Sequence, residues 1–528
     1  MRHFPTYITT NSESKKIDTV AITQFGIPGI VLMENAAHSI LRHALRFFPW
    51  LKKGGQTIFI LAGPGQNGGD GWVLARLFFN LGHSVTCYLV GNPDKEPQGD
   101  AEINYQVIKK IGIPIYSISQ PSDLLPPWEK AHLVVDALFG TGLSHELSGA
   151  PLRVLQSATQ SPRTFKVLAV DLPSGLSGDT GIPLGPVLPA DLTVSLGTLK
   201  LGLFLNEGPD LAGALRLGDI GLVDPMFQNI PKGTLINAAY AQKLLLPRPK
   251  ASHKKTFGHA VLIGASPGKT GALVLAALGA LRSGAGLITA AHPEELSGIL
   301  EEKLTAPMTL GLPADADGSL NSQAAQIALK FLADKDALGL GPGLAVSPTS
   351  QTFCENIVQN SAKPLIIDAS ALTNLVNSVE LLQQRIAPTI LTPHPGEAAR
   401  LLGVSNQKIQ EDRLTFAKKL ANLTNSIVVL KGANTIIVNP ATGKFLINSS
   451  GSPILATGGT GDLLTGLITG LVAQKMEPFF ACALGVFIHG LAGELAAKQQ
   501  AAFGLSPLEI CNFIPLAFRK LMMTSPHF

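Results

Sequence analysis

The strongest constraint on the fold is a repeated alternation between short apolar segments and helical patterns. In the first half of the chain, five segments rich in aliphatic and β-branched residues are separated by helical patterns, at 56–62, 85–90, 132–138, 165–171 and 192–198. Apolar strands that alternate with helices are typical of a parallel sheet covered on both faces. The first half is therefore predicted to be an α/β domain.

A second series of such segments begins after a stretch of different composition. Residues 228–257 are rich in Pro and Lys and show little periodicity, so a linker region is expected there. Beyond it, a glycine turn opening one long apolar helix is predicted within 267–289. Strands are predicted at 259–265, 336–341, 364–368, 389–392, 426–431 and 434–438. The 528 residues thus predict two α/β domains, joined near residue 235.

Charge and cysteine content exclude several classes of protein. The 41 Lys and Arg residues nearly balance the 37 Asp and Glu residues, and no basic block is interleaved with aromatic residues, which argues against nucleic-acid binding. The four cysteines lie far apart without metal-ligand spacing, so neither a disulfide framework nor a zinc site is indicated. These cysteines are Cys87, Cys354, Cys482 and Cys511.

The apolar composition raises the question of a membrane segment. The most apolar stretches are interrupted by Arg282, Asp462 and Glu494 before they reach roughly 18 residues, so they are predicted to be buried helices. Residues 1–18 lack the apolar core of an export signal. We expect a cytoplasmic protein that contacts neither membrane nor nucleic acid.

The first candidate site is the glycine-rich turn GPGQNGGDG at 63–71, which joins a predicted strand to a helix. Glycines allow a ligand to approach the backbone, and the free N–H groups of the helix can hold a phosphate. The turn matches neither GxGxxG nor a Walker A motif, so a purely structural turn is the alternative. Asn67 and Asp70 favour a ligand site, because a structural glycine turn needs no carboxylate so close.

Two further segments, VVDALFGTGL and AVDLPSGLSGDTG, place an aspartate at the end of a predicted strand. Open α/β sheets bind ligands at this carboxyl edge, so Asp136 and Asp171 are expected to converge. Together with Asn67 and Ser174 they offer carboxylate, amide and hydroxyl oxygens, which suit a hard cation. The alternative is that each aspartate only caps its loop.

Together with LMENAA at 32–37, these motifs strongly resemble the NAD(P)H-hydrate epimerase domain over about residues 10–225. The resemblance implies a Rossmann-like three-layer αβα fold and interconversion of the R and S hydrates of NADH and NADPH. It also implies that Asp171 moves protons and that potassium binds at Asn67, Asp136 and Ser174. The usual first Asn of the glycine turn is replaced by Gln66. The implied substrate contacts are Gln66, Asn67, Gly68, Gly69, Asp70, Gly140, Thr141, Gly142, Leu143, Ser144, His145, Glu146 and Asp171.

The second half contains two more glycine turns that lead into helices. The segment GASPGKT resembles the end of a P-loop but lacks the full spacing. In ATGGTGD, the amides of 458–461 are candidates for an anion hole, and Asp462 is placed to take a proton from a hydroxyl that attacks a phosphoryl group. The alternative is that Asp462 only caps the helix.

Two loops complete the second candidate site. TPHPGE places His394 between two prolines, although a single loop histidine is more often incidental. LKGANT places Lys431 at a strand end, where its ammonium can face nucleotide phosphates. A solvated strand end is the alternative for Lys431.

The motifs KTFGHAVLIGAS, GKTGA, LGPGL, TPHPGE, LKGANT and ATGGTGD together resemble the NAD(P)H-hydrate dehydratase domain, of ribokinase-like αβα fold, over roughly 245–525. The resemblance implies dehydration of the S hydrate with ADP as co-substrate and magnesium as cofactor. AMP and phosphate are the implied products. The choice between ADP and ATP stays open. Asp462 is the implied catalytic residue. The implied substrate contacts are Ala272, Gly343, His394 and Asp462, and the nucleotide contacts are Lys431, Gly432, Ala433, Asn434, Thr435 and Gly461.

Two positions depart from the usual dehydratase motifs: Ser370 replaces an acidic residue and Ser452 replaces an asparagine. The sequence predicts an epimerase domain over 1–230 and a dehydratase domain over 235–528, in a homo-oligomer. Two alternatives stay open. One is a small-molecule kinase of the same fold with an accessory domain, and the other is a non-catalytic nucleotide-binding module.

Overall fold

The computed structural model describes residues 6–91, 96–228, 230 and 232–523. The chain divides into two units, Met1–Gly233 and Thr234–Phe528. Residues 1–5, part of the segment 1–18 in which the sequence predicts no export signal, lie outside the described residues. So do Asn229 and Pro231 of the predicted linker.

The first unit is built on a seven-stranded sheet in the order β4-β3-β2-β5-β6-β7-β9, in which every pair of neighbours is parallel. The short strands β1 and β8 pair in parallel outside that sheet. The strands are β1 Tyr7–Thr9, β2 Thr57–Ala62, β3 Ser84–Val90, β4 Ile115–Ile118, β5 Leu133–Ala137, β6 Lys166–Val170, β7 Leu192–Leu196, β8 Leu199–Lys200 and β9 Ala214–Gly218. The helices are α1 Asn11–Thr23, α2 Gly29–Phe47, α3 Gln66–Asn80, α4 Asp100–Ile111, α5 Gly149–Gln160 and α6 Gly208–Ala212.

Both faces of this sheet are covered by helices. Because side chains alternate across a strand, Ile58 and Ile60 of β2 pack in a core cluster with α2, α3 and α4. Phe59 and Leu61 face the other way and share a second cluster with α5. The first unit therefore has three layers, as predicted, and its five predicted strands correspond to β2, β3, β5, β6 and β7.

The second unit has seven parallel strands in the order β13-β12-β11-β14-β15-β16-β17, extended by antiparallel β18 and β19 and then by β10. The strands are β10 Gly233–Ile236, β11 His259–Ile263, β12 Leu287–Pro293, β13 Met308–Leu312, β14 Ala337–Leu340, β15 Leu365–Ile367, β16 Thr389–Leu391, β17 Ile427–Leu430, β18 Ile436–Val438 and β19 Phe445–Asn448. The helices are α7 Ala238–Lys243, α8 Thr270–Arg282, α9 Ser297–Lys303, α10 Ser322–Leu332, α11 Pro348–Asn360, α12 Ala369–Asn374, α13 Glu380–Gln383, α14 Pro395–Leu402, α15 Asn406–Glu411, α16 Arg413–Thr424, α17 Thr460–Ala473, α18 Pro478–Gln499 and α19 Pro507–Met523. The predicted α/β class is confirmed for this unit as well.

Two expectations about the second unit are wrong in detail. The predicted linker at 228–257 contains strand β10 and helix α7. The apolar stretch at 267–289 is not one helix, because α8 ends at Arg282 and β12 begins at Leu287. Gly284, with a left-handed φ of 92°, lies in the turn that separates the two elements.

One helix in the described part of the chain is long and apolar enough to cross a membrane, by length and composition. This helix is α18, and 89% of its most apolar 18-residue window is buried inside the protein. Glu494 lies within α18, so the predicted interruption of its apolar stretch is present. The burial of α18 agrees with the prediction of a core helix, since most of its residues belong to the main core cluster of the second unit.

Candidate active sites

The first candidate site lies where the strand order of the first sheet reverses. The chain proceeds from β2 to β3 and β4 on one side, and from β5 to β6, β7 and β9 on the other. The turns after β2 and β5 touch, since a Cβ atom on Gly63 would lie 2.3 Å from the carbonyl oxygen of Leu138. A crevice at such a reversal is the usual ligand site of an open α/β sheet.

Three predicted contact residues meet in this crevice. A Cβ atom built on Gly140 would lie 2.9 Å from Asn67 Oδ1 and 3.2 Å from Asp171 Oδ2. Asn67 Nδ2 is buried and has no hydrogen-bond partner among the described residues. Because an unpaired buried donor is unfavourable, this amide is suited to an oxygen of a bound ligand.

Asp136 and Ser174 form a buried pair beside these residues. Ser174 donates to both oxygens of Asp136, from Oγ to Oδ1 at 2.5 Å and from its backbone N–H to Oδ2 at 2.8 Å. Burial raises the pKa of Asp136, and the hydrogen bonds from Ser174 oppose this. No Lys or Arg in the described ranges lies within 4.0 Å of the Asp136 carboxylate. A buried carboxylate without a positive partner takes up a proton or a cation.

One carboxylate oxygen of Asp171 is held by hydrogen bonds, and the other one faces the crevice. Its Oδ1 accepts from Lys200 Nζ at 2.5 Å and from the backbone N–H of Leu196 at 3.0 Å. Its Oδ2 is the atom that lies near Gly140. Asp171 also has a left-handed φ of 67°, which is unusual for a residue other than glycine and is typical of functional sites.

Two charged residues at this site were missed by the sequence analysis, Lys200 and Asp18. Burial raises the pKa of Asp70 well above its usual value, and the charges of Asp171 and Asp18 raise it further. Burial also raises the pKa of Asp18 to about 6, against the attraction of Lys200. Lys200 stands as a lone charge in the apolar run LTVSLGTLKLGLF, a signal that was available, whereas Asp18 lies in α1 without any such signal.

The remaining predicted contacts of the first unit lie around this crevice in different environments. Packing requires glycine at Gly68, since a Cβ atom there would lie 1.9 Å from the backbone carbonyl oxygen of Gly63. A Cβ atom on Gly69 would lie 2.4 Å from Cε of the flexible Met33 side chain. Leu143 is buried in the core cluster on the α5 side. The residues exposed to solvent or partly so are Gln66, Thr141, Gly142, Ser144, His145 and Glu146.

The second candidate site lies at the corresponding reversal in the second unit, between β11 and β14. Ser266 Oγ donates to the carbonyl oxygen of Gly343 at 2.8 Å, which ties together the turns after these strands. A Cβ atom on Gly343 would lie 3.1 Å from Ala272 Cβ. Two of the predicted substrate contacts, Ala272 and Gly343, therefore lie side by side.

Lys431 connects the predicted nucleotide loop to the glycine turn at the start of α17. Its Nζ donates to Asp368 Oδ1 at 2.7 Å and lies 4.0 Å from Glu397 Oε2. A Cβ atom on Gly461 would lie 3.2 Å from the same Nζ. Burial opposes the charge on Lys431, but the carboxylates of Asp368 and Glu397 outweigh it and raise its pKa. Lys431 is thus ion-paired inside the site, so the alternative of a solvated strand end is wrong.

Asp462 lies in the first turn of α17 but does not cap it. The N-cap position is Gly459, with a left-handed φ of 100° and no side-chain cap. Burial raises the pKa of Asp462 to about 7, and Asp368 raises it while Lys431 lowers it. A carboxyl group that titrates near neutral pH is suited to accept and return a proton. The capping alternative is therefore wrong for Asp462.

His394 has a structural task in this site. Its ring Nδ1 accepts a hydrogen bond from the backbone N–H of Gly396 at 3.1 Å. The backbone N–H of His394 donates to Glu397 Oε2 at 2.8 Å, and these two bonds cap α14. The imidazole is about half exposed, with Nε2 at 3.5 Å from Glu397 Oε1. The ring is therefore accessible to a ligand.

Asp368 and Glu397 are the acidic residues of this site that the sequence analysis missed. Asp368 is buried and accepts from Thr465 Oγ1 at 2.6 Å as well as from Lys431. It directly follows β15, so the acidic residue at the strand end is present although Ser370 replaces a later one in α12. Ser452 lies in the loop before α17, and nothing in the structure gives it a role.

Comparison with known proteins shows what the chain is similar to. The family model described as YjeF-related protein N-terminus matches residues 29–202, and the one described as NAD(P)H-hydrate dehydratase matches 260–516. The bifunctional NAD(P)H-hydrate repair enzyme Nnr of Moorella thermoacetica is 39% identical, over 98% of this chain and 97% of that protein. The chain belongs to the family of bifunctional NAD(P)H-hydrate repair enzymes.

Other members of the family match over similar lengths. The repair enzyme of Thermofilum pendens is 34% identical over 97% of this chain and 96% of its own length. A solved structure of ADP/ATP-dependent NAD(P)H-hydrate dehydratase from Bacillus subtilis, co-crystallised with ATP and Mg²⁺, is 30% identical. The match covers 54% of this chain and 98% of the Bacillus subtilis chain, with a TM-score of 0.48. The predicted bifunctional repair enzyme is confirmed by the family membership, which favours it over the kinase and the non-catalytic module.

Proposed function

We propose that the first unit interconverts the R and S hydrates of NADH and NADPH, and that the second dehydrates the S hydrate with ADP, releasing AMP and phosphate. We assign the epimerase to residues 1–230 and the dehydratase to 235–528. The observation that supports this division is that each unit has its own glycine turns and its own carboxyl group among charged residues. Asp171 lies beside Gly140, and Asp462 lies among Asp368, Lys431 and Glu397. A cytoplasmic location and a homo-oligomeric state stay predictions.

Epimerisation at C6 requires two proton transfers. The departing C6 hydroxyl leaves as water after taking up a proton, and the electron pair of the ring nitrogen N1 forms the N1–C6 double bond. A water molecule then adds to the other face and gives up a proton. Asp171 Oδ2 is the proposed group that moves this proton, since Oδ1 is fixed by Lys200. The free amide of Asn67 is suited to hold a substrate oxygen.

Potassium fits the residues predicted to hold it. Asp136 and Ser174 supply carboxylate and hydroxyl oxygens, and Asn67 supplies an amide oxygen in the same crevice. Bound potassium would supply the positive charge that the buried Asp136 carboxylate lacks. Ser174 Oγ, which Asp136 holds in place, also accepts from the backbone N–H of Phe139 at 2.9 Å and so fixes the turn after β5.

Dehydration in the second unit begins with phosphoryl transfer. Asp462 takes the proton of the C6 hydroxyl while the hydroxyl oxygen attacks the terminal phosphoryl group of the nucleotide. The amides of Gly458, Gly459 and Gly461 stabilise the developing negative charge, whereas the N–H of Thr460 donates to the carbonyl oxygen of Thr457. Phosphate then leaves with the C6–O electron pair, and loss of a proton from C5 restores the ring double bond. Magnesium bound with the nucleotide would neutralise phosphate charge, and the carboxylate of Glu397, near Lys431, is a residue that would help to hold it.

The test uses the purified full chain with separate R and S hydrates and with ADP or ATP in turn. Return of the near-ultraviolet absorbance of dihydronicotinamide reports dehydration, and chromatographic separation of the two hydrates reports epimerisation. Asp462→Ala should abolish dehydration and keep epimerisation, while Asp171→Asn should do the reverse. Loss of both reactions in either variant, or retention of both, would contradict the assignment. The nucleotide that supports turnover decides between ADP and ATP.

A further inference from the structure

Arg413 is a buried cation in the second unit whose hydrogen bonds go to the end of β17 and to the loop that follows it. The residue begins α16 and is only 4% exposed. Its Nη1 donates to the carbonyl oxygen of Ala433 at 2.6 Å. Its Nη2 lies 3.4 Å from the carbonyl oxygen of Leu430 and 3.5 Å from that of Lys431. The loop that Arg413 holds therefore includes the beginning of the predicted nucleotide segment.

The charge of Arg413 has no acidic partner in the part of the chain that the structure describes. Its hydrogen bonds go to carbonyl oxygens, and its Nε is buried without a partner. Burial lowers the pKa of Arg413 to about 10, so the guanidinium is still charged at neutral pH. Because a buried cation without a carboxylate is unfavourable, stability alone is a poor explanation for this residue.

The hydrogen bonds of Arg413 determine where the amides of the loop point. In a trans peptide, the carbonyl of one residue and the N–H of the next point in opposite directions. The carbonyls of Lys431 and Ala433 face the guanidinium, so the amides of Gly432 and Asn434 point away from it. Neither amide has a hydrogen-bond partner among residues 6–91, 96–228, 230 and 232–523.

The loop backbone is also built around the guanidinium. A Cβ atom on Gly432 would lie 2.8 Å from Arg413 Nη2, so Arg413 occupies the space of a side chain at that position. Gly432 has a φ of 146° and Asn434 a φ of 52°. Backbone of unusual φ with free N–H groups on one side is the kind of arrangement that binds anionic oxygens.

We propose that Arg413 is a positioning residue for the nucleotide of the dehydratase. By holding the carbonyls of the loop, Arg413 directs the amides of Gly432 and Asn434 toward the phosphate oxygens of a nucleoside diphosphate or triphosphate. The inference rests on the proposed function, since it requires that the loop binds a nucleotide at all. Arg413 itself touches neither substrate nor nucleotide.

The experiment compares Arg413→Met and Arg413→Lys in the full chain. Calorimetry gives the Kd for ADP with Mg²⁺, and steady-state kinetics give the KM for the S hydrate and kcat at saturating ADP. We expect Arg413→Met to raise the Kd for ADP by about tenfold or more, with the KM for the hydrate unchanged. Arg413→Lys should also weaken ADP binding, because one ammonium cannot bridge carbonyls that a planar guanidinium spans.

Arg385 provides the matched control. It also sits partly buried in the second unit and donates to three carbonyls, those of Val358, Ser361 and Lys363, far in sequence from the nucleotide loop. Arg385→Met should lower the thermal stability and leave the Kd for ADP unchanged.

Three results would overturn the inference about Arg413. They are wild-type affinity for ADP in Arg413→Lys, wild-type affinity in Arg413→Met, and equal weakening of ADP binding by Arg413→Met and Arg385→Met. If Arg413→Met does not fold, the lysine variant decides. Failure of the wild-type chain to bind ADP or ATP would instead contradict the proposed function.

Discussion

At the scale of single residues, both candidate sites depend on a carboxylate held by a buried lysine. Asp171 is paired with Lys200, whose side chain is 2% exposed, and Asp368 is paired with Lys431. In each case one partner follows a strand of the sheet and the other reaches it from a distant segment. The lysine fixes the carboxylate in one orientation. In Asp171 this leaves Oδ2 toward the crevice, whereas in Asp368 the second oxygen accepts from Thr465.

Lys200→Met should therefore disable the epimerase more than it disables binding. The change leaves the Asp171 carboxylate buried without its positive partner, which typically lowers the free energy of unfolding by about 3 kcal/mol. It also leaves Oδ1 without its ion pair and with the weaker hold of the Leu196 N–H, so we expect the epimerisation rate to fall by roughly a hundredfold, a loss of transition-state stabilisation of about 3 kcal/mol. Urea unfolding and R-to-S interconversion measure the two effects.

The control for this prediction is Lys166→Met. Lys166 pairs with Asp191 at 3.0 Å, but its side chain is 55% exposed, so its loss should change the free energy of unfolding by less than about 1 kcal/mol. A Lys200→Met variant with unchanged epimerisation would show that Asp171 does not need its partner.

Asp462 predicts a pH dependence for the dehydratase. Burial raises its pKa to about 7, and a general base must be ionised to accept a proton. Dehydratase kcat/KM should therefore fall about tenfold for each pH unit below that value and level off above it. A profile measured with the S hydrate and saturating nucleotide tests this, and a flat profile across neutral pH would argue against Asp462 as the base.

At the scale of elements, the second site depends on the contact between α8 and α17. The two helices approach so closely that a Cβ atom on Gly466 would lie 1.8 Å from the carbonyl oxygen of Ala276, and one on Gly279 would lie 2.2 Å from that of Leu463. Helix α17 carries the glycine turn and Asp462 at its first turn. The position of the anion hole therefore depends on glycines far from it.

Gly466→Ala should separate these helices. The backbone of α8 cannot give way as a flexible side chain would, so we expect a loss of about 2 kcal/mol in the free energy of unfolding, typical of an overpacked core. The dehydratase rate should fall as well, while epimerisation should not. Calorimetry and the two activity assays distinguish these effects.

Gly298→Ala is the matched control for that substitution. Gly298 lies in α9, and nothing is within 4 Å of the place that its Cβ would occupy. There the alanine should stabilise the helix by up to about 1 kcal/mol. Equal effects at Gly466 and Gly298 would show that helix propensity, rather than the α8–α17 contact, decides.

The elements also show what sequence patterns can predict and what they cannot. The central strands were recognised because both of their faces are buried, as in β2 with its continuous run TIFILA. The edge strands β4 and β9 were not, because IYSI and ALRLG keep exposed or half-buried residues that look like loop sequence. The glycine turns before α8 and α17 were located correctly. The turn predicted at 63–71 is shorter, because α3 begins at Gln66, so the prediction that Asn67 and Asp70 lie in a turn is wrong.

Local sequence patterns could not predict which side chains distant in sequence pair with the site residues. Lys200 lies 29 residues after Asp171, and Thr465 lies 97 residues after Asp368. Asp171 and Asp368 each follow a parallel strand, whereas Lys200 lies in β8 and Thr465 in α17. A motif indicates which residues have the right chemistry, whereas the packing of strands and helices decides which of them meet.

At the scale of the whole molecule, the chain joins two reactions of which the second is selective. If the dehydratase accepts only the S hydrate, the R hydrate in a mixed pool waits for epimerisation. An Asp171→Asn chain given equal amounts of both hydrates should therefore show two phases, a fast one that consumes the S hydrate and a slow one limited by uncatalysed epimerisation. The wild-type chain should show a single phase that consumes the entire pool.

Complementation in solution then separates chemistry from chain connectivity. An Asp462→Ala chain retains the proposed epimerase site and cannot dehydrate, so adding it to Asp171→Asn should merge the two phases into one. The time course of dihydronicotinamide absorbance at several ratios of the two variants measures this, because the slow phase should accelerate in proportion to the Asp462→Ala chain. If the slow phase persists at every ratio, the R hydrate is not reaching the dehydratase by way of Asp171, and the division of labour between the two crevices is wrong.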